Sequence, residues 1–212
     1  MRAVITAGDL EKIPAGGELG IPADALVTAL AREEAERRGI TFKIVEAGAR
    51  SESTSSAVAA MRGVVAIAAD HGGLELKKQL AGYLRDWSYE VLDLGTNSTE
   101  SVDYPDFAVA AAEAVASGKA WRGIVIDSAG IGSSIAANKV SGARAALCYD
   151  RATARNSREH NDANILTLGA KLISPEAARE IAAVWLETKF GGGRHEKRIA
   201  KIKEIEKKYS KA

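Results

Sequence analysis

The sequence predicts an α/β fold: a parallel central sheet with helices on both faces, preceded by a small α/β unit. Three observations lead there. From Val64 onward, short apolar and β-branched runs alternate with stretches of helical spacing, the order that gives parallel strands joined by crossover helices. The apolar run ending at Asp127 enters a small-residue loop with Gly130 and Gly132, then helical spacing from about Ser133. That order places a carboxylate at the carboxyl end of a buried strand, where open α/β sheets bind their ligands. Residues 51–62 form a serine-rich break with little periodicity. They divide the chain into an extension over 1–50, a linker over 51–62 and a main domain over 63–212.

In the extension, Ala3–Thr6 predicts a short strand. Pro22–Arg38 has helical spacing, with Leu26, Val27, Leu30 and Ala31 on one stripe. Gly39 ends it, and Ile40–Val45 predicts a strand. The unit holds neither His nor Cys, so it reads as a docking or targeting module rather than a second active site. In the main domain, strands are predicted at Val64–Ala69, Glu90–Leu94, Gly123–Ile126, Ala143–Cys148 and Ile165–Leu168. Helices are predicted at Leu74–Trp87, Pro105–Ala116, Ser133–Val140, Ala152–Glu159 and Pro175–Thr188, two of them opened by a proline that suits a first turn. From His195, Ile199, Ile202 and Ile205 recur among interleaved Lys and Glu. That pattern predicts an amphipathic helix lying on its own domain or on a partner subunit.

Composition narrows the function. The chain has 212 residues, 46% hydrophobic and 27% charged, as in an ordinary globular protein. A net charge of +1 gives no reason to expect a nucleic-acid or membrane-surface partner. No apolar stretch approaches a membrane span, and the N-terminus lacks a signal peptide's basic start and apolar core, so a cytoplasmic location is expected. Cys148 is the single cysteine, which excludes an intramolecular disulfide and a thiolate metal cluster; it reads as a buried structural thiol.

The three histidines, His71, His160 and His195, all fall in polar, Gly- or Arg-rich settings at predicted loop ends. Asp70, His71, His160 and Asp162 lack any recognisable ligand spacing, so no metal is expected. Gly130-Ile131-Gly132-Ser133-Ser134-Ile135 begins like a dinucleotide fingerprint but has Ile135 at the third glycine, and no phosphate-binding Gly-x-x-x-x-Gly-Lys loop exists. An anion suits the loop before Ser133, because a helix N-terminus and free backbone N–H groups favour negative charge. Arg194 and Arg198, four apart after the Gly191–Gly193 run, either grip a phosphate or are solvated surface residues.

Five segments together become specific: Ala69-Asp70-His71-Gly72-Gly73, Val102-Asp103-Tyr104-Pro105-Asp106, Gly130-Ile131-Gly132 with Ile135–Lys139, Ser157–Asn164, and Gly192-Gly193-Arg194-His195. In this order they resemble the type B ribose-5-phosphate isomerase family, which includes the galactose-6-phosphate isomerase subunits, over about residues 63–207. The resemblance implies a Rossmann-like α/β/α sandwich that forms a homodimer or a dimer of dimers, with active sites at the subunit interface. It implies aldose–ketose isomerisation of a sugar phosphate through an enediolate, without metal or cofactor. On this chain it gives His160 the opening of the furanose ring and puts Asp70 and His71 near the ring oxygen or phosphate. Tyr104 lines the pocket, and Asn161 with the N–H groups of Ser128, Gly130, Ile131 and Gly132 stabilises the enediolate oxygen. Arg194 and Arg198 hold the phosphate, with Lys171 where many relatives carry Arg.

One departure matters most. Many relatives carry a catalytic Cys where this chain has Asp127, and a Thr where it has Ala129; others use a Glu at the position of Ser133. Asp127 is therefore expected to be the base that moves the proton between C2 and C1. The alternatives are a non-catalytic sugar-phosphate binder with a relict pocket, or an isomerase for a different sugar phosphate. The extension, with Leu19–Thr28, Ala31-Arg32-Glu33 and Arg37–Ile40, resembles segments on enzymes of bacterial microcompartments. That resemblance implies a shell or cargo partner.

Overall fold

The computed structural model describes residues 4–10, 13–23, 25–45 and 63–210. The linker expected over 51–62 lies outside them. The chain divides into two compact units, Met1–Ala60 and Met61–Ala212.

The first unit pairs four short strands in two parallel couples: β1 (Val4–Ile5) with β3 (Leu26–Val27), and β2 (Glu18–Pro22) with β4 (Thr41–Val45). Helices α1 (Ala7–Leu10) and α2 (Ala29–Arg38) complete it. Leu10, Ala31, Ala35 and Ile40 form its core. The helix predicted from Pro22 starts seven residues late. Pro22 closes a strand, Leu26 and Val27 pair with β1, and the Thr28 hydroxyl caps the helix by accepting from Ala31 N–H at 3.2 Å. A Thr cap satisfies an N–H that would otherwise be orphaned, and it sets the start of the helix more firmly than hydrophobic spacing does. Gly39 ends α2 in the left-handed region at φ 68°.

The second unit is a Rossmann-like α/β/α sandwich. Strands β5 (Val64–Ala69), β6 (Glu90–Asp93), β7 (Arg122–Asp127), β8 (Ala145–Leu147) and β9 (Ile165–Gly169) form one fully parallel sheet in the order β6-β5-β7-β9-β8. Strand β9 is buried along its whole length, and β5 and β7 at every residue after the first, as a sheet covered on both faces requires. Helices α4 (Tyr104–Ala116) and α5 (Ile131–Ala137) pack on one face, and α3 (Leu74–Asp86) and α7 (Pro175–Glu187) on the other, with α6 (Arg151–Glu159) against α7. Alanines at 68, 108, 111, 112 and 137 let α4 and α5 approach the sheet closely. The last helix, α8 (Arg194–Tyr209), buries His195 and Ile199 but leaves Ile202 and Ile205 exposed.

This order fixes where a ligand can bind. The chain leaves β5 towards β6, then returns to place β7 on the other side of β5. The carboxyl ends of β5 and β7 therefore flank a topological switch point, the crevice that doubly wound sheets use for ligands.

Candidate functional site

Asp70 and Asp127 stand at that crevice, 7% and 5% exposed. Asp70 Oδ1 accepts from Gly73 N–H at 2.9 Å and so fixes the entry to α3. Next to it, His71 Nδ1 accepts from Val102 N–H at 3.2 Å, tying β5 to the segment that leads into α4. A Cβ on Gly72 would fall 2.5 Å from Ser128 Oγ and 3.3 Å from Asp70 Oδ1, so these two groups sit side by side. Lys171 follows β9 at the same edge, its N–H on Ser128 O at 3.0 Å. Tyr104, at the first turn of α4, lays its ring over Gly132, where a Cβ would come within 2.5 Å of the ring.

The Asp127 carboxylate is fully engaged. Oδ1 accepts from Ala129 N–H at 2.7 Å and from Gly130 N–H; Oδ2 accepts from Ser133 N–H at 3.0 Å and Ser133 Oγ–H at 2.5 Å. A carboxylate has about four lone-pair positions, and these four donors fill them. Asp127 therefore folds the loop back onto its own strand. Gly130 makes the turn possible at φ 78°, with no room for a side chain against Leu147 and Leu168. The Tyr149 hydroxyl adds a brace, donating to Ala129 O at 3.0 Å.

The remaining predicted residues lie at the opposite edge. Helix α6 begins after the carboxyl end of β8 and returns to the amino side, where Asn164 O accepts from Gly123 N–H at the start of β7. His160 and Asn161 follow α6 there. Strands rise about 3.3 Å per residue, so the length of β7 separates the two edges by roughly 17 Å. His160 stacks on His195, centroids 4.3 Å apart and planes within 8°. Arg194 and Arg198 extend the group along one face of α8, both exposed. One chain thus carries the expected residues in two separate groups. The carboxyl edge holds Asp70, His71, Tyr104, the loop 127–132 and Lys171, and the amino edge holds His160, Asn161, Arg194 and Arg198.

The amino edge is heavily buttressed. Asp162, at φ 44°, receives Arg158 Nη1 at 2.8 Å and Arg144 Nη2 at 3.0 Å, which pins the turn carrying His160 and Asn161. Burial works against the Asp162 carboxylate, but Arg158, Arg144 and Arg122 outweigh it and hold it below the usual carboxylate range. Arg122, between Trp121 and Trp185, is pushed down to about 10 by burial and then by Arg158, and stays cationic at neutral pH. Burial raises the Cys148 thiol, whose Sγ lies 3.8 Å from Ser157 Oγ; it is a structural core residue. Among the described residues no group of three or more His, Cys, Asp or Glu side chains is arranged to hold a metal.

Sequence reasoning gave no role to Ser133, Tyr149, Asn156 or Asp162. For Asn156 a signal existed: it stands four residues before His160 on a predicted helix, and Asn156 Nδ2 lies 2.8 Å from His160 Nδ1.

Residues 65–202 match the Ribose/Galactose Isomerase family. The chain is 42% identical over 144 residues to ribose-5-phosphate isomerase B of Escherichia coli, covering 68% of this chain and 97% of that protein. It is 41% identical over 139 residues to D-erythrulose-4-phosphate isomerase of Pectobacterium atrosepticum, covering 65% and 91%. The fold superposes on the structure of Clostridium thermocellum ribose-5-phosphate isomerase B with TM-score 0.69 at 55% identity, covering 69% of this chain and 99% of that one.

Proposed function

The chain belongs to the ribose/galactose isomerase family, and on that premise we propose that it converts ribose 5-phosphate to ribulose 5-phosphate in sites shared between two copies of the chain. It is a sugar phosphate isomerase with a parallel α/β sandwich. The observation that carries the finer reading is the division of its polar residues between two edges of one sheet. The carboxyl edge offers carboxylates and a loop of backbone N–H groups, the means to move a proton and to stabilise an oxyanion. The amino edge offers an imidazole and two arginines, the means to open a furanose and hold a phosphate. Neither edge is sufficient alone, and about 17 Å of strand separates them within a chain. A homodimer or dimer of dimers that apposes the two edges completes the site.

In this mechanism, Arg194 and Arg198 seat the phosphate, with Lys171 contributing charge from the other chain. His160 donates to the ring oxygen as the C1–O bond breaks and the O1 hydroxyl gives its proton to solvent, and the sugar opens. One base then takes the C2 proton and returns it to C1, while Asn161 and the N–H groups of Ser128, Ile131 and Gly132 hold the enediolate oxygen; the expected Gly130 N–H, like that of Ala129, is taken by Asp127. We assign the base to Asp127. It stands at the switch point, and of its four donors only the Ser133 hydroxyl can leave by a side-chain rotation, which frees a lone pair on Oδ2.

The full hydrogen bonding of Asp127 favours a second reading, in which it only clamps the loop and Asp70 is the base. Among the described residues only Oδ1 of Asp70 accepts a hydrogen bond. A coupled assay on ribose 5-phosphate, with solvent-deuterium incorporation at C2 of the aldose, separates the two. Under the first reading Asp127→Asn abolishes both turnover and exchange while the phosphate still binds. Exchange that survives in Asp127→Asn but vanishes in Asp70→Asn overturns it in favour of the second. A wild type silent on ribose 5-phosphate but active on a four-carbon or six-carbon aldose phosphate keeps the isomerase and changes the substrate.

The extension over 1–50 is assigned to docking, with a microcompartment shell or cargo protein as its partner, inside a bacterial cell. Deleting residues 1–60 is expected to leave kcat and KM unchanged; a collapse of activity would make the unit part of the catalytic fold.

A further inference from the structure

We propose that His195 is a positioning residue: an aromatic plate that holds the His160 ring in one orientation and one tautomer, leaving His160 Nε2–H as the donor of the amino-edge half-site. The role depends on reading His160 as the group that opens the sugar ring.

The plate is a matter of geometry. The two imidazoles are nearly parallel, 8° apart in plane and 4.3 Å between centroids. Such contact blocks rotation of the His160 ring about its side-chain bonds. The tautomer comes from the other flank. With the Asn156 amide nitrogen donating, His160 Nδ1 at 2.8 Å is the acceptor, so the proton sits on Nε2. Glu159 Oε1 lies 3.8 Å from Nε2, beyond a hydrogen bond, and leaves that N–H for a ligand.

His195 itself is used for its face rather than its nitrogens. It is 8% exposed; among the described residues its buried Nδ1 has no partner and its Nε2 meets only Arg194 Nε, at 3.5 Å. A histidine kept for hydrogen bonding would satisfy both nitrogens when buried. The charged and titratable groups around it are His160 and Glu159 at the end of α6 and Arg194 and Arg198 on α8. Burial, then His160 and the two arginines, holds its imidazole below the ordinary range, with Glu159 opposing, so the plate is uncharged at neutral pH. A neutral plate also avoids placing a third cation beside the arginines that face the phosphate. Gly191 N–H, on Glu159 O at 2.8 Å, docks the start of α8 onto the end of α6 and brings the rings together.

The test is imidazole nitrogen NMR on the full chain, beside kinetics, for wild type, His195→Phe, His195→Ala and His195→Leu. Phe keeps the plate without nitrogens. His195→Phe is expected to keep the His160 Nε2–H tautomer and kcat within about twofold of wild type, because it loses only an unpartnered Nδ1 and a long contact to Arg194 Nε. His195→Ala is expected to show both His160 tautomers and to lose about tenfold in kcat with KM little changed, a fraction of what a general acid contributes. Equal losses in the Phe and Ala variants, or an Ala variant with unchanged tautomer and kcat, overturn the proposal. If His195→Ala fails to fold, His195→Leu, which keeps bulk without a flat ring, decides: mixed tautomers with a lowered kcat support the proposal, and a fixed Nε2–H tautomer with wild-type kcat overturns it. A wild type that turns over no aldose phosphate refutes the isomerase reading alone, since the tautomer is read without substrate.

Discussion

At Gly132 a single hydrogen atom decides how the pocket is shaped. The Tyr104 ring lies where a Cβ would stand, 2.5 Å from its nearest ring carbon. Tyr104 is 40% exposed and has room to swing away, so Gly132→Ala is expected to displace the ring rather than unfold the protein. A loss of about tenfold in kcat/KM, about 1.4 kcal/mol of transition-state stabilisation, with an unchanged urea midpoint is the expected signature. Two positions earlier the outcome reverses. Gly130 sits at φ 78°, and a Cβ there would meet Leu147 at 2.5 Å and the Leu168 backbone at 2.8 Å. The Leu168 backbone, buried in β9, cannot retreat. Gly130→Ala is expected to cost about 2 kcal/mol or more in stability, read as a lowered urea midpoint, because strain and overpacking act together.

At the scale of elements, the turn after α6 depends on Asp162. Its carboxylate receives Arg158, whose side chain is 2% exposed, and Arg144. Removing the charge leaves Arg158 buried without its counter-ion, so Asp162→Asn is expected to cost about 2 kcal/mol at neutral pH. Because the arginines hold the folded carboxyl below its unfolded range, the unfolded chain binds the proton first on acidification. The stabilisation is complete above pH about 4 and fades as pH falls through the folded value. The difference between wild type and Asp162→Asn in urea melts should therefore shrink below that pH; a difference that persists at pH 2 would show that the charge is not its source. The elements around this turn were legible in the sequence to within two residues at most ends, because strong alternation and two proline-started helices marked them. The first unit was less so. Leu26 and Val27 fit a helical stripe numerically, and only their pairing with Val4 and Ile5 makes them a strand. Of the candidate site, spacing gave residue types but no arrangement: it cannot show that Asp127 and His160 end on opposite edges of one sheet. Nor could it show that four donors already surround Asp127.

For the whole molecule, that separation makes a prediction that subunit mixing can refute. If each site joins the carboxyl edge of one chain to the amino edge of another, damage to the two edges is complementary. Asp127→Asn impairs the carboxyl half-site, and His160→Ala impairs the amino half-site. A dimer holding one subunit of each kind contains one site with both faults and one with neither. Random exchange of equal amounts makes about half the dimers mixed, and each of these has one of two sites intact, so the mixture should recover about a quarter of wild-type activity. The recovery should appear only after subunits have exchanged, for example after dilution and reconcentration, and should be absent when either variant is treated alone. A mixture that stays inactive after exchange has been verified by native mass spectrometry would mean that each chain builds its whole site. His160 would then have to act across the roughly 17 Å between the two edges, which a side chain cannot span. Ile131 and Ile135 on α5 and Ile202 and Ile205 on α8 are left open on the second unit, apolar surface that such an association would cover.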